Sequence, residues 1–317
     1  MMALSKIDPA GLDIGQIGGR RNLIINGAMQ VAQRGTSSSS TGYQTVDRWR
    51  LNLGTQQEQK TDTPDQFKNS MEITGTVAGS SGYGIVLQRI ESNNIYGALG
   101  QNCTLSCYVK NTGTSTANVS VEVYRANSTD NFSAITLVSS LTSQPITSGW
   151  TRITFPAFAV PTTASTGLEV RIFRYDASND QEWLITGVQL EVGTVATPFE
   201  HRSFGEELAL CQRYFERVAE PTNSCYSVGT ATFANQPRNV LVYKQRKRAI
   251  PSISSSAGSE FRFQFSSGNA TPSAITTAGI GNDSAFLNAS GVTISQNTPF
   301  ILISNSTSSY IDIDSEL

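Results

Sequence analysis

Asp312, Asp314 and Glu316 stand at alternate positions near the end of the chain, the spacing that puts three carboxylates on one face of a strand. Such a trio suggests a divalent cation. Neighbours on that face are about 6.8 Å apart and the outer two about 13 Å, too far for one ion holding its oxygens at ~2.4 Å. A solvated strand face is the expected role. His201 is the single histidine, so a histidine-based metal site or proton relay has no second member. Cys103 and Cys107 share a face with Leu105 and Val109 if residues 104–109 form a strand. They read as buried thiols, because further Cys or His at zinc spacing is missing. A bridge between them is disfavoured by a Cα separation of ~13 Å. No Gly-x-Ser-x-Gly elbow, His-Glu-x-x-His or Cys-x-x-Cys is found. The segment from Gly15 to Arg20 lacks the Gly-Lys-Ser/Thr ending of a phosphate loop. The expectation is no catalytic residue, no cofactor and no metal.

Binding residues are a different matter. Trp49, Trp150 and Trp183 have flat faces suited to stacking on sugar rings, yet each sits at or beside a strand start, and core packing is expected for all three. Tyr43, Tyr83, Tyr96 and Tyr226 fall in loops and are unranked glycan contacts, so the sequence leaves the glycan-binding residues unknown. Lys244-Gln245-Arg246-Lys247-Arg248 is the one basic cluster. A solvated sheet edge is the expected role, with contact to phosphate or lipopolysaccharide as the alternative.

The elements that must position these residues are strands. The 317 residues include 39 Ser and 33 Thr, and only 15% are charged. Ser and Thr compete with a helical backbone for hydrogen bonds and suit strands and turns. The net charge of -2 offers no basic excess for nucleic acid. The longest apolar runs, such as Leu23-Ile24-Ile25, fall far short of the ~20 residues of a spanning helix. The N-terminal stretch has no apolar run of signal-peptide length, which predicts synthesis in a cytoplasm and reduced thiols. Residues 1–20 are polar and glycine-rich and read as an extended arm with little core of its own.

From about residue 43 to 200 apolar and polar residues alternate. Leu105, Cys107 and Val109, then Val119, Val121 and Val123, then Leu168, Val170 and Ile172, then Val188, Leu190 and Val192 each predict a half-buried strand. Turn segments at 111–114 and 177–180 separate them. Many short strands at this spacing predict a sandwich or jelly roll. Further strands are expected at Val240–Tyr243, Phe261–Phe265, Val292–Ser295, Phe300–Ser304 and Tyr310–Ile313. Between Arg262 and Asp312 the one charged residue is Asp283, which predicts packing against other subunits.

One helix stands out. Ser203-Phe204-Gly205-Glu206 has the form of a capping box. Phe204, Leu208, Cys211, Phe215 and Val218 then follow at spacings of four, three, four and three, an apolar stripe ended by Pro221. Two readings of that stripe stay open: packing on the chain's own β-domain, or a short three-fold bundle with two copies of itself.

Asn22-Leu23-Ile24-Ile25-Asn26-Gly27-Ala28-Met29-Gln30, followed by Gln33-Arg34-Gly35 and Asp47-Arg48-Trp49, resembles the opening of bacteriophage tail-fibre-like virion proteins. Thr186 to Gly193 with Ala196-Thr197-Pro198-Phe199-Glu200 resembles that family's closing strand. Glu206 to Phe215 resembles the helix that follows it, and Lys247 to Pro251 and Asp312 to Leu317 are similar to tail-fibre endings. The resemblance implies a carbohydrate-binding-module-like jelly roll, a virion location and a homotrimer, and it implies binding or building rather than catalysis. The expected organisation is all-β: an N-terminal attachment arm (1–30), a jelly-roll β-sandwich (31–202), a short amphipathic helix (203–220) and a smaller C-terminal β-domain (221–317). Other virion proteins are the expected partners of residues 1–20. Host surface glycan is the expected non-catalytic ligand, without nucleic acid or membrane insertion. The alternatives are a purely structural virion part (head fibre, capsid decoration or tail adaptor) and, third, a glycan hydrolase.

Overall fold

The computed structural model describes residues 20–75, 82–113, 117–176 and 182–317. The N-terminal arm to residue 19, Thr114 and the turn segment at 177–180 lie outside the described residues. The chain divides into two compact units, one running to Glu207 together with Leu317, the other Leu208–Glu316.

The first unit is an all-β jelly-roll sandwich. Its strands are β1 (Ser37–Ser38), β2 (Arg50–Leu53), β3 (Gln56–Lys60), β4 (Ser70–Thr74), β5 (Gly82–Ile90), β6 (Asn102–Asn111), β7 (Ala117–Ser128), β8 (Asn131–Ile146), β9 (Thr151–Thr154), β10 (Phe158–Ala159), β11 (Leu168–Asp176) and β12 (Glu182–Val192). One sheet runs β1-β3-β4-β12-β6-β10, with β9 also on β6, and the other runs β2-β5-β11-β7-β8. The pairings are antiparallel. The alternation read from sequence lands as expected: Leu105, Cys107 and Val109 from one sheet, and Val119, Val121, Val123, Val170 and Ile172 from the other, are all fully buried in one core. Trp49 and Trp183 join them at 0% exposure.

Residues 20–30, assigned above to the arm, belong to the sandwich. Ile24, Met29 and Val31 are buried in its core. The backbone of this segment bonds to both sheets. Leu23 N–H donates to Leu190 O on β12 at 2.9 Å, and Ile25 exchanges two bonds with the Gln88 side chain of β5 at 2.8 and 2.7 Å. The segment has no strand periodicity because side chains replace a ladder. Asn22 and Asn26 satisfy its buried backbone groups instead.

The second unit holds β13 (Phe215–Ala219), β14 (Cys225–Phe233), β15 (Gln236–Val242), β16 (Ser252–Ser255), β17 (Phe261–Phe265), β18 (Gly268–Ala270), β19 (Ala274–Ala278), β20 (Ser284–Ser290), β21 (Pro299–Ser304) and β22 (Tyr310–Asp314). They form a three-stranded sheet, β13-β22-β16, and a seven-stranded sheet, β18-β17-β21-β14-β15-β20-β19. Residues 292–295 are not a strand. Val292 and Ile294 are buried, but Ile294 N–H donates to the Asn235 side chain rather than to a neighbouring strand.

The helix is shorter than its stripe. It spans Phe204–Gln212, a short α1 (Ser92–Ile95) preceding it in the chain, and the capping box forms: Glu206 N–H donates to Ser203 Oγ at 3.3 Å and Ser203 N–H to Glu206 Oε2 at 3.4 Å. A turn closed by Tyr214 N–H to Cys211 O then ends it, and Phe215–Ala219 pairs with β22. Phe215 and Val218 therefore lie on a strand. With Cys211 they are buried, Leu208 is half-buried, and Phe204 alone of the five is exposed, at 56%. No apolar stripe is left on a continuous helix surface. The partner that converts this segment to strand comes from residues 310–314, beyond the reach of a local pattern.

Candidate functional site

The two outer faces of the sandwich differ. On the face of the β4-β12-β6 sheet, the side chains are covered. The Phe67 ring packs against Tyr108, Phe199 and His201 at centroid distances of 5.2, 5.1 and 5.0 Å. Beneath it Gly187, with φ +59°, admits no side chain: a Cβ would stand 2.7 Å from Phe67 and 2.8 Å from Tyr108. Thr186 Oγ1 donates to Asn69 O at 2.8 Å, and Glu200 accepts from the Arg21 and Asn22 amides at 3.0 and 2.9 Å. His201 is thus part of an aromatic plug.

The face of the β5-β11-β7 sheet carries a built polar cluster. The register places three rows across these strands: Arg89–Glu169–Tyr124, Leu87–Arg171–Glu122 and Ile85–Phe173–Ser120. Side chains two apart on a strand point to the same face, so the rows form one grid. Glu169 is fully buried at its centre. Arg89 Nε donates to its Oε2 at 2.7 Å, and Arg171 donates to its Oε1 through Nε at 2.7 Å and Nη2 at 2.6 Å. Burial of that carboxylate is tolerable because both oxygens meet a guanidinium. The Arg171 guanidinium also lies over the Tyr124 ring, 4.5 Å from its centroid. The Tyr124 hydroxyl donates to Glu122 Oε2 at 2.6 Å, and burial, then that bond, raise the phenol above its ordinary pKa.

Arg171 and Glu122 are directly opposed, yet form no ion pair with each other. Each is turned to a partner elsewhere. A cleft of about 230 Å³ opens there, lined by Ile85, Glu122, Arg171 and Phe173. It offers a guanidinium donor, a carboxylate acceptor and an apolar wall together. No local sequence signal marked these residues. They come from strands far apart in the chain, Phe173 lying 88 residues after Ile85, and only the alternation of β11 hinted that Glu169 and Arg171 share a face.

The other residues singled out in the sequence lie apart from this cleft. Trp150 is half-buried rather than in the core, and its Nε1 donates to Asp62 Oδ1 at 2.9 Å, beside a Lys110–Asp62 ion pair of 2.6 Å. Its indole caps an exposed polar pair because residue 150 falls just before β9. Tyr43 is half-buried, Tyr96 is 70% exposed, and Tyr226 is structural, donating to Ser309 O at 2.8 Å. Tyr83 pairs in the backbone with Tyr175, and its side chain lies outside the described residues. Asp312 is held by Arg217 at 2.6 and 2.7 Å across β13 and β22. The basic cluster is not a solvated edge throughout: Lys244, Gln245 and Arg246 are exposed, Arg246 paired with Asp283, but Lys247 is buried against Glu216. Lys247 turns inward because the chain has left β15 and bends there. Among the described residues no group of three His, Cys, Asp or Glu is arranged to hold a metal ion, and no helix is long and apolar enough to cross a membrane.

No protein-family model matches the chain, and no curated protein does. Solved structures similar to it include carbohydrate-binding modules, glycoside hydrolase chains and a phage tailspike. The CBM22-1 xylan-binding domain of Paenibacillus barcinonensis Xyn10C is 13% identical over 51% of this chain and 94% of its own, with a TM-score of 0.34. A putative sugar binding protein from Bacteroides thetaiotaomicron is 14% identical over 54% of this chain and 100% of its own, TM-score 0.37. The enzymatically active domain of tailspike protein 4 of bacteriophage CBA120 is 17% identical over 54% of this chain and 21% of its own, TM-score 0.36.

Proposed function

We propose that this protein is a bacteriophage virion component of the tail-fibre type, joined to the particle through its N-terminal residues and contacting host glycan through the cleft on the β5-β11-β7 sheet. The observation that carries the reading is the opposed but unpaired Arg171 and Glu122 beside the apolar pair Ile85 and Phe173. A sugar ring has polar hydroxyl edges and an apolar C–H face, and the cleft offers a match for both. The motifs shared with tail-fibre-like proteins, at Asn22–Gln30 and Thr186–Glu200, support the virion setting. Binding is non-catalytic. Both oxygens of Glu169 are engaged by arginines and Glu122 accepts from Tyr124, which leaves no carboxylic acid poised to protonate a leaving group.

The test is adsorption. Purified chain should bind susceptible bacterial cells saturably, compete with the phage and release no reducing sugar ends. The Arg171→Met/Glu122→Ala variant, with unchanged circular dichroism, should lose that adsorption. New reducing ends would reverse the non-enzyme assignment, and full adsorption by the variant would move the binding site elsewhere.

A second reading, a purely structural virion part, draws on the other unit. On the open face of its seven-stranded sheet, Val228 opposes Ile301 and Val240 opposes Phe286, a row of apolar side chains between 39% and 67% exposed, with Val242 at 70%. Such a face suits packing against copies of the same chain in a homotrimer. Light scattering should then give about three chain masses, and Val228→Glu should lower that mass. A monomeric wild-type chain at micromolar concentration would end the trimer proposal.

A further inference from the structure

We infer that the Arg171–Glu122 cleft selects an uncharged sugar unit, a neutral hexose or pentose within a glycan, and rejects both uronic-acid and amino-sugar units. The inference rests on the glycan-binding reading above and adds the chemical class of the ligand.

The charges lining the cleft cancel: Arg171 and Glu122 are one of each sign, and behind them Glu169 answers Arg89. Arg50, opposite Leu87 on β2, extends the same row beyond the cleft and bonds Asn52. Arg171 is committed to Glu169 on one side and stacked over Tyr124. What remains for a ligand is hydrogen bonding rather than net charge. The guanidinium presents N–H not used on Glu169, and Glu122 keeps Oε1, which has no hydrogen-bond partner among the described residues. A hydroxyl can accept from the first and donate to the second, and neighbouring hydroxyls of one ring can do both together.

An ionic sugar meets a penalty in either sign. A uronate carboxylate entering the cleft approaches Glu122, while the cation beside it, Arg171, is already shared with Glu169. An ammonium approaches Arg171 in the same way. Like charges brought together at a partly desolvated site cost affinity, and this is discrimination by repulsion. Size points to a single ring. The polar row and the Ile85–Phe173 row are two residues apart along β11, about 6.8 Å. The cleft, at about 230 Å³, is smaller than the ~300–1,000 Å³ of a drug-sized pocket.

The experiment is a glycan array probed with the full-length chain at low and high salt, carrying neutral, uronic-acid and amino-sugar glycans. Neutral glycans should bind, with less than about a twofold change with salt, because no net charge is neutralised on binding. Acidic and cationic glycans should bind about tenfold more weakly or not at all. Glu122→Gln keeps the shape and removes the charge. It should weaken neutral binding and narrow the discrimination against uronic acids. Tyr124→Phe, which frees Glu122 from its hydroxyl partner, should keep that discrimination. Preferred binding of uronate glycans, weakened by salt, would overturn the neutral-ligand inference and leave the glycan reading standing. A natively folded chain that binds nothing on the array would overturn the glycan reading itself.

Discussion

Lys247 and Glu216 form an ion pair of 2.6 Å between two side chains that are both fully buried. Glu216 also accepts from the Lys244 amide at 3.1 Å, and the Lys247 ammonium also donates to Gln212 O at the end of the helix. The pair therefore ties the helix terminus, β13 and the turn after β15 within the second unit. Burial pulls the Lys247 pKa down, against the bond to Glu216 that pulls it up. Removing one member leaves the other charged and unpaired. Lys247→Met should destabilise the second unit by about 3–5 kcal/mol, seen as an early transition in urea. The Lys247→Met/Glu216→Met double variant should be less destabilised than the sum of the singles by at least ~1 kcal/mol. Strict additivity would mean the two side chains act independently.

Asn26 holds a left-handed backbone, φ 57°, and its side chain serves three buried backbone groups: it donates to Val31 O and Asp47 O and accepts from Val31 N–H. Asn26→Ala removes all three bonds; Val31 O keeps the Asp47 amide at 2.9 Å, and the change should cost more than about 1 kcal/mol in chemical denaturation. A chain starting at Arg20 should fold and fail to join particles. One starting at Ala32 should not fold, because it lacks Ile24, Met29 and Val31 of the core. Native circular dichroism from that shorter chain would contradict the placement of this segment inside the sandwich.

Glu200 links the start of the sandwich to its closing loop. Burial pushes its carboxyl upward, but the Asn22 and Arg21 amides and the Arg202 guanidinium outweigh this, and the pKa ends below its ordinary 4.5. The folded value lies under the unfolded one, so the stabilisation is complete above about pH 4.5 and is lost as the pH falls through the folded value. Glu200→Gln removes that dependence. Between about pH 5 and about pH 3 the Tm of the parent chain should fall more steeply than that of the variant. Parallel slopes would show that Glu200 is not linked to folding.

Thiol labelling separates the cysteines by environment. Cys103 and Cys107 are buried, and burial pushes their thiols up to about 12, while Cys211 is buried and Cys225 exposed. Near neutral pH one group should label quickly in the native chain, and all four after unfolding without reductant. Fast native labelling of a second cysteine would place Cys103, Cys107 or Cys211 at the surface.

Periodicity alone carried the strands of the sandwich. Leu105, Cys107 and Val109 alternate because one side of β6 faces the core, and a period of two is a local property that any reader of the chain can find. The capping box at Ser203 and Glu206 was legible for the same reason, since its two members lie within one turn. Contacts across large separations decided the rest. Phe215 and Val218 kept a helical spacing with Phe204, Leu208 and Cys211, but β22 drew them into a sheet. Asn22 to Gln30 read as an arm because its hydrogen bonds run to Gln88, Leu190 and its own asparagines instead of to a ladder. The candidate cleft depends on the register that sets Arg171 against Glu122 and Phe173 against Ile85. A sequence fixes which side of a strand each residue takes. Which residues of other strands stand opposite follows from the pairing of whole sheets, which is cooperative and long-range, and so the site existed only once the strands were assembled.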